Sequence, residues 1–153
     1  MQWESNQYYS LKEADPMSLK IVISLLKAYP LTKGCLDALG VQLQEKLEFG
    51  FFNIGQDIIV EGESGRDIFL LCTGKMDVLV NNQIVVKMES PSLVGEKGII
   101  SENSKRAATI RITDEDEALV VKIPMGSFLR DFNDKSIRDD QFTQVEKIYQ
   151  NLF

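Results

Sequence analysis

Between residues 51 and 123 the chain breaks into short apolar runs separated by turn-forming residues, and this pattern constrains the fold more than any other feature. Glycines, a proline and paired asparagines punctuate the runs at spacings typical of a small β-barrel or sandwich. The dipeptide Asn81-Asn82 predicts a tight hairpin turn, because asparagine tolerates a positive φ better than other residues with a Cβ. The clearest strands are predicted at 67–73, 75–80, 84–88, 106–112 and 118–123.

Helical periodicity precedes this β region. Asp15 followed by Pro16 is typical of a helix start, since aspartate caps the first free amides and proline fits the first turn. The apolar stripe of this helix ends before Pro30. Leucines at three- and four-residue intervals predict a second helix over 33–47. Residues 1–47 are therefore predicted to form an N-terminal helical region.

Helical periodicity returns in the last part of the chain. A short helix is predicted over 125–132, and a longer one begins near Ser136. Because its apolar period is still running at the last residue, we expect the chain to be part of a larger protein. We predict one α+β domain over 1–153, with N-terminal helices over 1–47, an antiparallel β-roll or jelly-roll of about eight strands over 48–123, and hinge and lid helices over 124–153.

Composition excludes several classes of function. The chain contains no histidine, which removes the commonest general base and metal ligand, so neither a catalytic nor a metal site is predicted. The net charge of −6, from 17 Lys and Arg against 23 Asp and Glu, argues against nucleic-acid binding. With no run of roughly 20 apolar residues and no secretory signal, we expect no membrane insertion and a cytoplasmic location. Cys35 and Cys72 are then expected to be reduced.

One short stretch concentrates residues suited to holding a phosphate. Small residues let a ligand approach the backbone, amides of a helical turn near Gly98 favour an anion, and a guanidinium can pair with two phosphate oxygens. The stretch therefore predicts a site for a sugar phosphate. It reads Val94-Gly95-Glu96-Lys97-Gly98-Ile99-Ile100 and, after a polar loop, Lys105-Arg106-Ala107-Ala108-Thr109-Ile110.

This stretch resembles the phosphate-binding cassette of the cyclic-nucleotide-binding domain family. The family reads aromatic-Gly-Glu-aliphatic-small-aliphatic, then a loop, then Pro-Arg-Ala-Ala-Thr-Val. The chain keeps the Gly-Glu pair and the Arg-Ala-Ala-Thr run, and it differs from the pattern at Val94, Lys97 and Lys105. Together with the strand and turn pattern upstream, the resemblance covers residues 47–130.

The resemblance implies a role for each residue of the cassette. Glu96 would accept a hydrogen bond from a ribose 2′-hydroxyl, and Arg106 would pair with the exocyclic phosphate oxygens. The amides of Gly98 and Ala107 would donate to phosphate oxygens, while Gly95 would let the backbone pass close to the sugar. The predicted ligand-binding residues are Gly95, Glu96, Lys97, Gly98, Arg106, Ala107 and Ala108, and the lid candidates are Tyr149 and Phe153.

The implied function is a regulatory sensor and not an enzyme, with a cyclic mononucleotide as ligand and no further cofactor. Ala107 stands where family members that favour cGMP often carry Thr or Ser, so cAMP is expected in preference to cGMP. Occupancy would move the C-terminal helices, and the output would be a protein partner, an effector domain outside this chain, or a homodimer. A second hypothesis is a roll without ligand that serves as a dimerisation or docking scaffold. A cupin-type β-barrel enzyme fits the strand count but not the missing histidines.

Overall fold

The computed structural model describes residues 7–95 and 105–124. Within these ranges the chain forms nine β-strands, three α-helices and one 3-10 turn. The strands are β1 Tyr8–Ser10, β2 Glu48–Phe52, β3 Asp57–Ile59, β4 Ile68–Leu71, β5 Lys75–Val80, β6 Gln83–Glu89, β7 Ser92–Val94, β8 Thr109–Ile112 and β9 Ala118–Ile123. The 3-10 turn spans Leu11–Glu13, and the helices are α1 Pro16–Lys27, α2 Pro30–Leu39 and α3 Val41–Lys46.

The strands form two antiparallel sheets. One sheet has the order β1-β2-β9-β4-β7, and the other has the order β3-β8-β5-β6. Most strands that follow each other in the chain, such as β4 and β5, lie in different sheets, so the chain passes repeatedly between the two layers; β1 and β2, and β5 and β6, are paired neighbours within one sheet. The predicted antiparallel β-roll is therefore confirmed for the described residues.

Two hydrophobic cores lie on opposite faces of the five-stranded sheet, because successive side chains of a strand point to opposite faces. The roll core fills the space between the two sheets, and the helix core lies between the five-stranded sheet and the N-terminal helices. The roll core contains Phe52, Ile59, Phe69, Leu71, Met76, Val94, Ile110, Ile112, Ala118 and Val120. The helix core contains Leu11, Val22, Leu26, Leu36, Leu43, Leu47, Phe49, Ile68, Leu70, Val121 and Ile123.

The first predicted helix is confirmed, and the second needs correction. Asp15 caps α1, its Oδ1 accepting from the Ser18 amide at 2.8 Å. The helix predicted over 33–47 begins instead at Pro30 and is divided into α2 and α3 at Gly40. Gly40 has φ 59°, a left-handed conformation that ends a helix and that glycine adopts without a Cβ penalty. Leucine periodicity runs across this break because both helices turn apolar residues towards the same core.

The predicted hairpin turn and several predicted strands are confirmed. Asn81 and Asn82 have φ of 53° and 65°, which are the positive angles that a two-residue hairpin loop requires. The strands predicted at 75–80 and 118–123 coincide with β5 and β9. The strand predicted at 106–112 starts only at Thr109, because the preceding residues bend around the candidate site described below.

One strand lies in the region predicted to be helical. In β1, Tyr8 pairs with Gly50 of β2 and adds an edge strand to the five-stranded sheet. Three residues are too few to display an alternating pattern in the sequence. The hinge and lid helices predicted after residue 124 lie outside the described residues. Within 7–95 and 105–124, no helix combines the length and apolar character needed to cross a membrane.

Candidate functional site

Arg106 lies between two loops of the roll and donates hydrogen bonds to the main chain of both. Its Nη2 donates to the Asp67 carbonyl oxygen at 2.7 Å, and its Nη1 donates to the Gly95 carbonyl oxygen at 3.1 Å. Asp67 immediately precedes β4 and Gly95 immediately follows β7, two strands that pair in the five-stranded sheet. The half-buried guanidinium is therefore held in a fixed orientation where the cassette leaves the sheet.

The main chain of Arg106 is held as firmly as its side chain. The Arg106 amide donates to the Glu63 carbonyl at 2.7 Å, and the Gly62 amide donates to the Arg106 carbonyl at 2.8 Å. An isolated antiparallel bridge joins Ser64 to Lys105, whose Nζ donates to Ser64 Oγ at 2.8 Å. The loop between β3 and β4 thus pairs with the second half of the cassette.

Two glycines make room for the guanidinium. A Cβ on Gly65 would lie 2.9 Å from both Nε and Nη2 of Arg106, closer than real Cβ contacts come. A Cβ on Gly95 would lie 2.8 Å from the Asp67 carbonyl oxygen and 3.0 Å from Arg106 Nη1. Gly95 also has φ 88°, which favours glycine. The position of the guanidinium therefore depends on the absence of a side chain at both residues.

Sequence reasoning identified Gly95 but missed the contribution of the β3–β4 loop. In the sequence, Gly62 and Gly65 are typical turn-forming residues of a strand-rich segment. Nothing in their spacing indicates that Gly65 contacts Arg106, which lies 41 positions further along. Asp67 takes part through its main-chain oxygen, which is independent of residue type. No residue-type signal could therefore have pointed to Asp67.

The structure brings some of the predicted site residues together. Gly95 and Arg106 are in direct contact, while Ala107 is exposed and Ala108 is half-buried beside them. Their roles towards a ligand stay predictions. Glu96, Lys97, Gly98, Tyr149 and Phe153 lie outside the described residues.

Asp67 connects the guanidinium to a second charged group. Its Oδ2 lies 3.7 Å from Lys122 Nζ of β9, and that ammonium lies 5.0 Å from the centre of the Tyr8 ring. The Tyr8 hydroxyl is buried and has no hydrogen-bond partner within the described part of the chain. Burial raises the pKa of Tyr8, and the nearby Glu48 and Asp67 carboxylates raise it further, so the phenol stays protonated.

The described residues offer no site for a metal ion. Within 7–95 and 105–124, no group of three His, Cys, Asp or Glu side chains could hold one. The chemistry that the described part of the site can supply is therefore that of a fixed cation with adjacent main-chain groups, which suits the recognition of an anion.

Sequence comparison finds similarity to cyclic-nucleotide-regulated kinases. The chain is 32% identical over 108 residues to a cGMP-dependent protein kinase of Eimeria tenella, which covers 71% of the chain and 11% of the kinase. It is 31% identical over 118 residues to a cGMP-dependent protein kinase of Toxoplasma gondii, covering 74% of the chain and 11% of the kinase. The chain thus spans about a tenth of the length of these relatives. No family model matches it.

Solved structures with the same fold include cAMP-bound regulatory domains. The regulatory domain of Toxoplasma gondii PKA, co-crystallised with cAMP, has a TM-score of 0.67 and 17% identity over 91% of this chain and 51% of that chain. The sensor domain of the transcriptional regulator DNR from Pseudomonas aeruginosa has a TM-score of 0.64 and 15% identity over 88% of both chains. Relatives and fold together confirm the resemblance seen in the cassette, and the chain belongs to the cyclic-nucleotide-binding domain family.

Proposed function

We propose that this domain is a regulatory sensor that binds a cyclic mononucleotide through the cassette around Arg106. The observation that carries the proposal is the half-buried guanidinium fixed between the Asp67 and Gly95 carbonyls. It places a permanent positive charge at the start of the segment that resembles the phosphate-binding cassette. In a chain of net charge −6, an anionic ligand needs such a local cation.

The phosphate contact accounts for much of the proposed affinity. Each hydrogen bond between the guanidinium and a phosphate oxygen contributes about 1.5–3 kcal/mol, because one partner is charged. Removing the guanidinium from a buried pair of this kind typically costs about 2–5 kcal/mol. The orientation set by the two carbonyls reduces the ordering that the ligand must impose.

The other cassette residues complete the proposed site. Glu96 accepts from the ribose hydroxyl, and Lys97, Gly98, Ala107 and Ala108 surround the phosphate. Tyr149 and Phe153 are the proposed cover over the base, where an aromatic ring offers a stacking surface. The whole of 1–153 then acts as one sensor domain.

The proposed ligand is cAMP. Ala107 lacks the hydroxyl that would reach a guanine, which favours adenine, although the sequence relatives are named for dependence on cGMP. The fold neighbour from Toxoplasma gondii was solved with cAMP. Ala107 belongs to this chain itself, and the proposal of cAMP therefore rests on it.

The proposed output is regulation of an effector that lies outside the chain. The sequence relatives are kinases many times longer than the matched region, and the structural neighbours include a regulatory domain and the sensor domain of a transcriptional regulator. A protein partner, an attached effector domain or a second copy of the chain could receive the signal. The domain itself carries no proposed catalytic role.

A non-binding scaffold is the alternative, and one observation favours it. Two N–H groups of Arg106 already donate to the protein's own carbonyls, so the arginine has a structural role without any ligand. The two proposals differ in one measurable property, the heat of nucleotide binding.

Calorimetric titration with cAMP and with cGMP tests the proposal. We expect the natural chain to bind cAMP more tightly than cGMP, and Arg106→Lys to bind at least about tenfold more weakly because lysine lacks the forked donor set. Arg111→Ala is the control: it also removes an arginine, but one that pairs with Asp57 at 2.8 Å. No heat with either nucleotide at millimolar concentration would favour the scaffold.

A further inference from the structure

An apolar groove of about 420 Å³ lies on the helix side of the five-stranded sheet, on the opposite face from the roll core. One wall is α1, and the floor is formed by alternate residues of β2 and β9. Six apolar residues define it: Ile21 and Leu25 on the wall, and the partly buried Phe51 and Leu119 on the floor, together with Phe49 and Val121, which are buried in the helix core.

Apolar surface continues from the groove onto the outside of α1. Met17 is 65% exposed and Ile21 is 54% exposed, and both lie on the same helix face as Leu25 because the three are spaced four residues apart. A helix that packs on one side needs a single apolar stripe, which α1 already has in Val22 and Leu26 of the helix core. Met17 and Ile21 are therefore exposed apolar residues outside the helix core, and Leu25, which packs partly against that core, connects them to the groove.

Acidic residues lie along part of the groove. Glu13 and Asp15 belong to its lining, and Asp15 is kept ionised by the hydrogen bonds from Ser18, which lower its pKa. Thr73 and Leu119 lie at one end of the groove. Just before Leu119 in the chain comes the β8–β9 loop, whose residues 114–117 are four consecutive acids.

The acidic loop adjoins the end of the sheet at which the groove closes. The Leu119 amide donates to Thr73 Oγ1 at 3.0 Å, which joins two lining residues. A Cβ on the adjacent Gly74 would lie 3.7 Å from Asp114 Cβ and 2.9 Å from Cβ of the roll-core residue Ala118, so the loop begins at this end of the sheet. Glu115 and Glu117 are exposed, and their charges are available to a bound partner.

We propose that this groove binds a basic amphipathic helix of a partner protein, with apolar residues at three- and four-residue spacing and lysine or arginine at its flanks. The apolar floor would take the anchoring side chains, and the acidic rim would pair with the basic flanks. This surface is spatially separate from the proposed nucleotide site, since it lies on the other face of the sheet.

Two other occupants fit the surface less well. A small apolar molecule would leave Met17 and Ile21 exposed and would make no use of the acids. The chain's own residues 125–153 carry five acidic residues against four basic ones, so they lack charge complementarity to an acidic rim.

The test uses a fluorescent helical peptide of about 18 residues, with leucine at the core positions of each heptad and lysine elsewhere. Its twin has glutamate in place of every lysine, and a third peptide has the same composition in scrambled order. We expect the lysine helix alone to bind the full chain, with an affinity that falls as salt is raised.

Matched variants locate the binding surface. Ile21→Asp should weaken binding of the lysine helix by about tenfold, while Ile84→Asp, at a residue 51% exposed on β6 of the other sheet, should not change it. The double variant Glu115→Lys/Glu117→Lys should weaken binding of the lysine helix by about fivefold. Its control is the double variant Glu45→Lys/Glu89→Lys, which changes the net charge equally at two other exposed positions and should not weaken binding to this extent. Thermal unfolding checks that each variant folds.

Three outcomes would overturn the proposal. Equal effects of Ile21→Asp and Ile84→Asp would place the peptide elsewhere. The groove would instead be assigned to a small apolar ligand if the neutral dye Nile red binds, Ile21→Asp abolishes that binding, and no peptide binds. Failure of the full chain to bind any of these probes would show that the groove takes neither a basic helix nor a small apolar ligand.

Discussion

The Arg106 guanidinium occupies the space that a side chain on Gly65 would need, since a Cβ there would lie 2.9 Å from both Nε and Nη2. The two residues are far apart in sequence, and the β3–β4 loop brings them together by pairing with the cassette. Gly65 therefore helps to determine where the proposed phosphate contact lies, because it has no side chain to displace the guanidinium.

Gly65→Ala should displace the guanidinium without removing it. We expect nucleotide affinity to fall by about tenfold and the free energy of unfolding to fall by about 1–2 kcal/mol, because the methyl group overpacks a half-buried site. Calorimetry and urea unfolding measure the two effects. In an Arg106→Lys background the same change should cost less, because the slender ammonium leaves space for the methyl group. Purely additive effects in that double-mutant cycle would contradict the proposed contact.

Gly95→Ala and Gly55→Ala separate backbone strain from close approach. Both glycines have φ 88°, but a Cβ on Gly55 would meet no described atom within 4 Å, whereas one on Gly95 would meet Asp67 and Arg106. We expect Gly55→Ala to lower the free energy of unfolding by about 1–2 kcal/mol through strain alone. Gly95→Ala should cost more than this and should also weaken nucleotide binding. Equal costs in urea unfolding would mean that the Arg106 site tolerates a side chain.

Tyr8→Phe should stabilise the fold or leave its stability unchanged. The Tyr8 hydroxyl is buried without a described hydrogen-bond partner, so its removal avoids a desolvation cost of about 1–3 kcal/mol, offset by any small cavity that remains. The packing of the ring against Phe52, at 5.6 Å between centroids, is retained. Tyr9→Phe is the control, because that hydroxyl is exposed and donates to Gln7 Oε1 at 3.2 Å. A loss of stability for Tyr8→Phe in thermal unfolding would show that the hydroxyl has a partner.

Alkaline pH should weaken the fold through Cys72. Burial raises the pKa of this thiol from 9.0 to about 12, so between these values the unfolded state gives up its proton while the folded state keeps it. The stabilisation is fully present below pH 9 and is lost as pH rises towards 12. Urea unfolding from pH 8 to 10.5 should show this decline, and Cys72→Ala should make it shallower.

The same pKa predicts the reactivity of Cys72. At pH 8.5, peptide mapping after iodoacetamide treatment should show alkylation at least about a hundredfold slower than for a free thiol, because the thiolate is the reactive form. Fast alkylation of Cys72 in the folded chain would contradict the raised pKa.

Local sequence signals predicted much of the fold. Asp15-Pro16 located the start of α1, and the paired asparagines located the hairpin, because both signals act through the backbone of the residues that carry them. The strands β5 and β9 were delimited by turn residues on both sides. The break at Gly40 was missed because leucine spacing continued through it, and β1 because a three-residue edge strand has no period.

Of the candidate site, only the half formed by the cassette could be predicted from the sequence. The cassette is contiguous, so its glycine and arginine stand out together in the sequence. The opposing loop contributes through the carbonyl of Asp67 and through the missing Cβ of Gly65, which are tertiary relationships with no residue pattern of their own. The groove is also a tertiary property, since it combines α1 with two strands that are distant in the chain.

A single layer, the five-stranded sheet, separates the roll core from the helix core. In β4, Phe69 faces the interior of the roll and its neighbour Leu70 faces the helices. A slide or tilt of that strand must therefore rearrange packing on both sides at once, since close-packed interiors transmit displacement and do not absorb it. A substitution far from both the Arg106 site and the apolar groove will therefore alter both of them if it shifts β4 or β9.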